Sequence, residues 1–593
     1  MSAYRERAAR EIREQRPGAT VTPIMRGLVA DSARMLARGR PGAAERAAAA
    51  RAHAVANLES LHAQLRESFG RQRVGYHRAA TAEEAVATVR RLLGDARRVA
   101  KSKTMVGEEV GLTHALRAAG LDVLETDIGE YIVDVEGRGP SHITAPALHL
   151  DRSRIRTLLA RTGADLPDDD PVRLSRYVRD VVGAYFQDCD AGITGANAVV
   201  ASSGRVMVVE NEGNVSLGVS HPRLHVAITG LEKVVADEAA ALAILEVLAP
   251  SATAQPLTSF SHFLAGPMPG QERHVVFVDN GRSAIAADAR YRDVLKCIRC
   301  GACMNGCPVY RAAGGLSYQS PYMGPIGAVI SPLLWPDGRF ADLPFASSLC
   351  GRCTEACPVG IPLHRMLLDL RAGAVERHEV AGRAERLAWR TWAIAFGGAT
   401  RARAVSAAAR IGLRSGGRLF RPNGTGDDPR TLPDPAPTRD PANLRPAAAA
   451  PPSQPVVQPE SVPDSLAELF RVRAAALGVE VVEKCPARKG DRLLTAAAGV
   501  ASTGSALLTG EQAARRPLLA AKRVVVELDP ANLVRYPGDL EPYLGEGDAL
   551  ILTGASRTAD IEKQIVRGIH GSEELVVVLR GEEAMPRLLS SEA

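Results

Sequence analysis

The chain has 593 residues, of which 46% are apolar, 24% charged and only 4% aromatic, with mean hydropathy −0.06 and a formal net charge of +6. That length exceeds what one hydrophobic core serves, and the composition is that of a folded globular chain. So small a positive excess over so long a chain makes no nucleic-acid-binding face, and no stretch approaches the ~18 consecutive apolar residues of a membrane span.

In chain order, residues 1–60 read as alanine- and arginine-rich helices broken at "RPG" and "GRPG". The opening "MSAYRERAAREIREQRPG" mixes charge signs without an apolar centre and is not a signal peptide, so a cytoplasmic chain is expected, with membrane contact only through partners. Residues 61–288 are expected to form an α/β domain with a largely parallel sheet. "TAEEAVATVRRLLG" opens with a capping box, Thr81 and Glu84, ahead of a helical apolar repeat. "RRVAKS" and "LDVLET" read as strands around one helix, "VGEEVGLTHALRAAG". "NAVVASSGRVMVVEN" reads as strand, turn and strand, and "LHVAITG" and "HVVFVD" as further strands.

A cysteine-bearing module with trailing helices is expected over 289–418, then a linker over 419–463. Twelve of the 38 prolines lie between Pro422 and Pro463, so that stretch buries too little apolar surface to fold. From 464 to 593 the α/β pattern returns. "AGVASTGSALL" echoes "AVVASSGRVMV", with Ser502 over Ser202 and Gly504 over Gly204, and "KRVVVEL" echoes "RLHVAIT". We read this as an internal duplication whose second copy is truncated.

Seven of the nine cysteines lie in two runs, "CIRCGACMNGCPVY" and "SSLCGRCTEACPVGIP". Two proline-terminated runs of this spacing point to iron–sulfur clusters rather than zinc, which closes one tetrahedron with two CxxC pairs. In the crossed arrangement, Cys297, Cys300, Cys303 and the distant Cys357 hold one cluster, while Cys307, Cys350 and Cys353 hold the other. The second set is one thiolate short, because Ser347 stands where the first run has Cys297. Three outcomes follow: a [4Fe-4S] cluster with an oxygen ligand such as Ser347, one with an open site, or a [3Fe-4S] cluster. Cys189 and Cys485 read as inert thiols.

A second candidate is the loop "SGRVMVVENEGN", in which Ser202, Gly204, Glu210, Asn211, Glu212 and Asn214 form either a ligand-binding turn at the strand ends or a solvated hairpin. No nucleophile elbow, P-loop or dinucleotide fingerprint is present.

The collinear motifs "SKTMVGEEVGL", "GEYIVDVEGRGPSHITAPALH", "GITGANAVVASSG", "VVENEGN", "HVVFVDNGRS", "YMGPIGAV" and the two cysteine runs resemble the lactate utilization protein B family over about residues 60–400. The resemblance implies a LUD domain of NagB/RpiA/CoA-transferase-like fold, then a mostly helical, ferredoxin-like module with two clusters. It implies a role in oxidising L-lactate to pyruvate beside two partners, a cysteine-rich-domain redox protein and a LUD-only protein. In that family the second run also lacks its first cysteine. "GASRTADIEKQIVRGIHGSEELVVVL" resembles the C-terminal signature of lactate utilization protein C, so the tail is expected to be a partial LUD-like domain. Two further readings stand beside this one: the same relay serving another 2-hydroxy acid such as glycolate, and an acyl- or CoA-transfer enzyme with structural clusters.

Overall fold

The computed structural model describes residues 3–377 except residue 16, parts of 380–408, residue 463 and residues 465–580. Residues 419–462 of the expected linker and the last residues, 581–593, lie outside the described residues. Residues 1–372 and 459–593 form one compact unit and 373–458 a second. In the second, the helix Arg383–Phe396 carries Trp389 and Trp392 edge to face, ring centroids 5.8 Å apart.

The strands of the first unit are β1 (Gly75–Ala79), β2 (Arg98–Lys101), β3 (Asp122–Glu125), β4 (Ala191–Thr194), β5 (Ala198–Val200), β6 (Val206–Glu210), β7 (Leu224–Gly230), β8 (Val234–Val235), β9 (Phe260–Leu264) and β10 (Glu272–Val278). After the linker come β11 (Glu480–Val482), β12 (Arg492–Thr495), β13 (Ala498–Val500), β14 (Ser505–Thr509), β15 (Arg523–Leu528), β16 (Leu533–Val534), β17 (Ala549–Leu552), β18 (Arg557–Thr558), β19 (Val566–Arg567) and β20 (Glu574–Leu579).

A six-stranded, wholly parallel sheet runs β1-β10-β7-β4-β2-β3. Its central strand β7 is buried along its whole length, which is why "LHVAITG" shows a nearly unbroken apolar run instead of alternation. Thr81 caps the helix Ala82–Leu93 by accepting from the Glu84 amide at 3.2 Å, and the Glu84 carboxylate accepts from the Ala80 amide at 2.8 Å. The single helix expected after β2 is instead two, Met105–Glu109 and Leu112–Ala118. Gly111 at φ 65° takes a left-handed turn that ends the first and starts the second.

The duplication is written into the backbone. A parallel sheet β11-β20-β15-β12 repeats the order β1-β10-β7-β4, without counterparts of β2 and β3 among the described residues. The other strands of both copies merge into one eight-stranded sheet, β16-β13-β14-β17-β9-β6-β5-β8, whose two halves meet antiparallel at β17 and β9 (Ala549 opposite Phe263). Equivalent turns make equivalent hydrogen bonds: Gly204 N–H to Val200 O at 2.8 Å and Gly504 N–H to Val500 O at 2.9 Å. Both glycines have positive φ, and a Cβ at Gly504 would lie 2.4 Å from the Ala474 amide nitrogen. Neither half-sheet closes without the other, so the C-terminal region is an integral layer of the first unit. The N-terminal helices join it too: Arg7 pairs with Asp342 at 3.2 Å, and Arg51 donates to the backbone of Val234 in β8 and of Leu295 just ahead of the first cysteine run. Among the described residues no helix is long and apolar enough to cross a membrane.

Candidate iron–sulfur centre and adjoining cavity

The two cysteine runs fold as structural repeats. Arg299 and Leu349 both take left-handed backbone (φ 61° and 54°), as do the following Gly301 and Gly351 (79° and 82°). Each run then makes one short turn of helix, Ala302–Asn305 and Arg352–Glu355. The Arg299 amide donates to Cys297 Sγ at 3.4 Å, and the Leu349 amide donates to Ser347 Oγ at 3.0 Å. Ser347 thus keeps the backbone position and the amide contact of the cysteine it replaces.

The sulfurs fall into two electrostatically coupled groups. Cys303 interacts with Cys297, Cys300 and Cys357, while Cys353 interacts with Cys307 and Cys350. Burial pushes the Cys300, Cys303, Cys307 and Cys357 thiols up, and the Cys353 thiol up to about 11, with the neighbouring sulfurs adding to the rise. Acids packed so closely ionise together only around a compensating cation. Backbone amides meanwhile point at the sulfurs, those of Ile361 at Cys357 (3.4 Å) and of Val309 and Tyr310 at Cys307 among them. Soft donors, amide N–H groups and an apolar surround fit iron–sulfur clusters. Cys189 donates to Phe186 O, Cys485 lies against Arg523, and His364 pairs with Thr354 at the start of the helix Leu363–Glu376. None of these joins either group.

A buried ion network clamps the first run to the α/β layer. The fully buried Arg282 donates to both Glu109 oxygens (2.6 and 2.8 Å) and to Glu232 Oε2 (2.7 Å). Tyr322 donates to Glu109 at 2.5 Å, and the Arg299 guanidinium sits 4.4 Å above the Tyr322 ring and 3.4 Å from Glu232 Oε1. Arg51 donates to Leu295 O at 2.8 Å and Lys233 Nζ to Cys297 O at 2.8 Å. Burial raises the Glu232 carboxyl, but Arg282, Lys233 and Arg299 outweigh it and hold the group down at about 2. Burial and the nearby Arg299 bring the Lys233 amine down to about 7.

Beside this clamp lies a cavity of about 1060 Å³ at the carboxyl ends of β2, β4 and β7, where open parallel sheets place ligands. Ile298 and Arg299 of the first cysteine run form part of its wall. Of the loop residues singled out in the sequence, Glu210, Asn211, Glu212 and Asn214 line it, whereas Ser202 and Gly204 do not. Ser202 instead donates to Glu238 at 3.2 Å, and Gly204 sits tight against Phe69 and Ser68 at the turn between β5 and β6. Glu210 is wholly engaged, accepting from His262 (2.8 Å) and the amides of Val215 and Ser216 (2.7 and 2.8 Å). Asn211 accepts from the Ser259 amide at 2.9 Å, and Asn214 donates to Thr126 at 3.3 Å.

Glu212 faces Asp127 and Asp560, the three offering carboxylate oxygens within 4.8 Å of one another. Burial and mutual repulsion raise Asp127 to about 7 and Glu212 well above the ordinary range. His142 accepts the Thr144 amide at Nδ1 (3.1 Å), so its proton sits on Nε2, which donates to Asn305, between Cys303 and Cys307 in the sequence (3.1 Å). The sequence did not single out Asp127, Lys233, Arg282 or Asp560 as site residues. Arg282 and Asp560 lay inside quoted motifs and Asp127 and Lys233 did not, and the partners of all four come from other segments of the chain.

The LUD domain family matches residues 63–277, and the 4Fe-4S dicluster domain family matches residues 293–361. Lactate utilization protein B of Bacillus cereus (strain AH820) and that of Bacillus thuringiensis (strain Al Hakam) are each 43% identical over 352 residues, 58% of this chain and 74% of theirs. The crystal structure of a DUF162 family protein from Deinococcus radiodurans aligns with 37% of this chain and 98% of its own, at 16% identity and a TM-score of 0.22. An α/β LUD domain leading into a dicluster module, with this identity over this share of the relatives, makes the chain a member of the lactate utilization protein B family.

Proposed function

We propose that this chain is the iron–sulfur electron-transfer subunit of a complex oxidising L-lactate to pyruvate. One observation carries the reading: the cavity at the sheet ends shares Ile298 and Arg299 with the first cysteine run, so an acid bound there lies beside the ligands of a cluster. Cys297, Cys300, Cys303 and Cys357 would hold the first cluster, and Cys307, Cys350 and Cys353 the second, with Ser347 oriented as its fourth ligand. The clusters, when bound, supply one-electron acceptance and transfer. The protein's share is to hold both ligand sets at close quarters, keep the first loop dry behind the Arg282 network, and offer as buried proton acceptors Asp127, raised to about 7, and Glu212, raised well above the ordinary carboxylate range.

The partners in this reading are a cysteine-rich-domain redox protein and a LUD-only protein. The C-terminal half-domain, joined to the first half through the shared eight-stranded sheet, acts as a built-in counterpart of the second. The test is anaerobic: purify the chain with its native partners, add L-lactate, and follow the clusters by visible absorption and EPR, with D-lactate and glycolate in parallel. Selective reduction by L-lactate is the expected result. Clusters that dithionite reduces but no hydroxy acid does, with partners present, would remove the reading. Preferential reduction by glycolate would keep the relay and change the donor.

A further inference from the structure

The turn joining β9 to β10 covers residues 265–271, whereas its counterpart between β17 and β20 covers 553–573 and includes the β18–β19 hairpin. This added chain folds back onto the first half. The Arg557 amide donates to Asn211 O (2.9 Å), and the His570 amide and Ser556 hydroxyl donate to Glu212 O (2.9 and 2.6 Å). Asp560 accepts from the Gly129 amide at 3.2 Å. The hairpin therefore fixes the loop that carries Glu212 and brings Arg557, Asp560 and Lys563 into the cavity wall.

The cations there are under-used. Arg557 Nε and Nη2 are buried without a hydrogen-bond partner, as is Nη1 of Arg299, the cysteine-run residue in the same wall. Neither Arg557 nor Lys563 makes an ion pair within 4.0 Å among the described residues; Arg557 feels the repulsion of the Arg567 guanidinium, and Lys563 feels Asp560 only beyond ion-pair distance. Buried donors left open in this way call for an anion. The ligand's charge is bounded from the other side: Asp127, Glu212 and Asp560 share the wall and repel a dianion, while their oxygens accept a hydroxyl hydrogen bond.

Resting on the relay reading above, we propose that this cavity binds the 2-hydroxy carboxylate itself, and that the C-terminal half-domain completes the site through Arg557 and Lys563. Guanidinium and ammonium groups take the carboxylate, and the carboxyl cluster takes the neighbouring hydroxyl. The cavity, at about 1060 Å³, is far roomier than a three-carbon acid needs, so charge and the hydroxyl are read more strictly than size.

The test is equilibrium binding, by anaerobic calorimetry on the full chain with its clusters in place. The titrants are L-lactate, glycolate, propionate (which lacks the hydroxyl) and inorganic phosphate. Lactate and glycolate should saturate, with propionate weaker. Arg557→Gln and Lys563→Gln should each weaken lactate by about tenfold or more, equivalent to ~1.4 kcal/mol. Iron content and thermal midpoint of the variants, unchanged, exclude a folding defect. The proposal is overturned if lactate does not saturate, if phosphate binds as tightly as lactate, or if both variants bind like the parent. Reduction of the clusters by lactate with partners, but no binding to this chain, would leave the relay standing and remove this site. Binding without reduction under any partner complement would do the reverse.

Discussion

Replacing Arg282 with methionine tests whether the buried clamp holds the first cysteine run. Arg282 is fully buried and is the shared partner of Glu109 and Glu232. Methionine fills similar space but leaves two buried carboxylates facing each other, Glu109 with only the neutral donors Tyr322 and Asn280, and Glu232 with the more distant Arg299 and Lys233. Breaking one partner out of a buried ion pair costs about 3–5 kcal/mol. An independent bound gives a similar figure: the easiest relief is to protonate one carboxylate, and neutralising an ordinary glutamate at pH 7 costs about 3.7 kcal/mol from its reference pKa. The same arithmetic at pH 5 leaves about 1 kcal/mol, so the deficit should shrink steeply on acidification. Guanidinium titration of the cluster-loaded chain at pH 7 and pH 5, with iron retention followed by visible absorption, measures both. Iron should be lost before global unfolding, because Arg299 and Lys233 of the same network hold the Cys297 loop. A loss below about 1 kcal/mol at pH 7, or one that does not change with pH, refutes the reasoning.

Ser347→Cys should give the second set a fourth thiolate and convert any [3Fe-4S] EPR signal to that of a [4Fe-4S] cluster; an unchanged spectrum would mean that position 347 does not face the cluster. Glu232, held at about 2 in the folded chain, contributes stability that is complete above its unfolded value near 4.5 and is lost as pH falls towards 2. Acid unfolding of Glu232→Gln should lack that limb. Asp127 is shifted the other way, to about 7, so its contribution is best at low pH and worsens as pH rises from about 4 through 7. Asp127→Asn, which keeps the cap to the Glu130 amide, should therefore raise the thermal midpoint at pH 8 more than at pH 5. Gly504→Ala places a Cβ 2.4 Å from the Ala474 nitrogen at φ 65° and should cost about 2 kcal/mol or more, read by chemical denaturation.

The cysteine runs were legible because their information is local. Three cysteines on one loop need only spacing, and the proline that turns the chain away marks the fourth. The parallel strands were legible for a related reason, since burial on both faces leaves unbroken apolar runs such as β7 and β10. The helix expected between β2 and β3 was legible except for its break, because a left-handed glycine inside a helical pattern looks like any other glycine until the backbone is seen.

The echo between residues 198–208 and 498–508 pointed to a duplication, yet a repeated pattern does not say whether two copies stand apart or share a sheet. Hydrogen bonding between β17 and β9 decided that. The cavity lay furthest from view. Glu212 was visible in its motif as one acid in a polar loop, which is usually a solvated turn. It becomes a buried carboxyl of raised pKa only because Asp127 and Asp560, from segments 85 residues before it and 348 after it, close over it. Charge, burial and mutual distance belong to no single segment of chain. The sequence by itself determined the two cysteine runs and the strand pattern, where chemistry follows from neighbours along the backbone. The tertiary structure alone decided which acids and cations meet, because desolvation and Coulomb energy depend on distance through space.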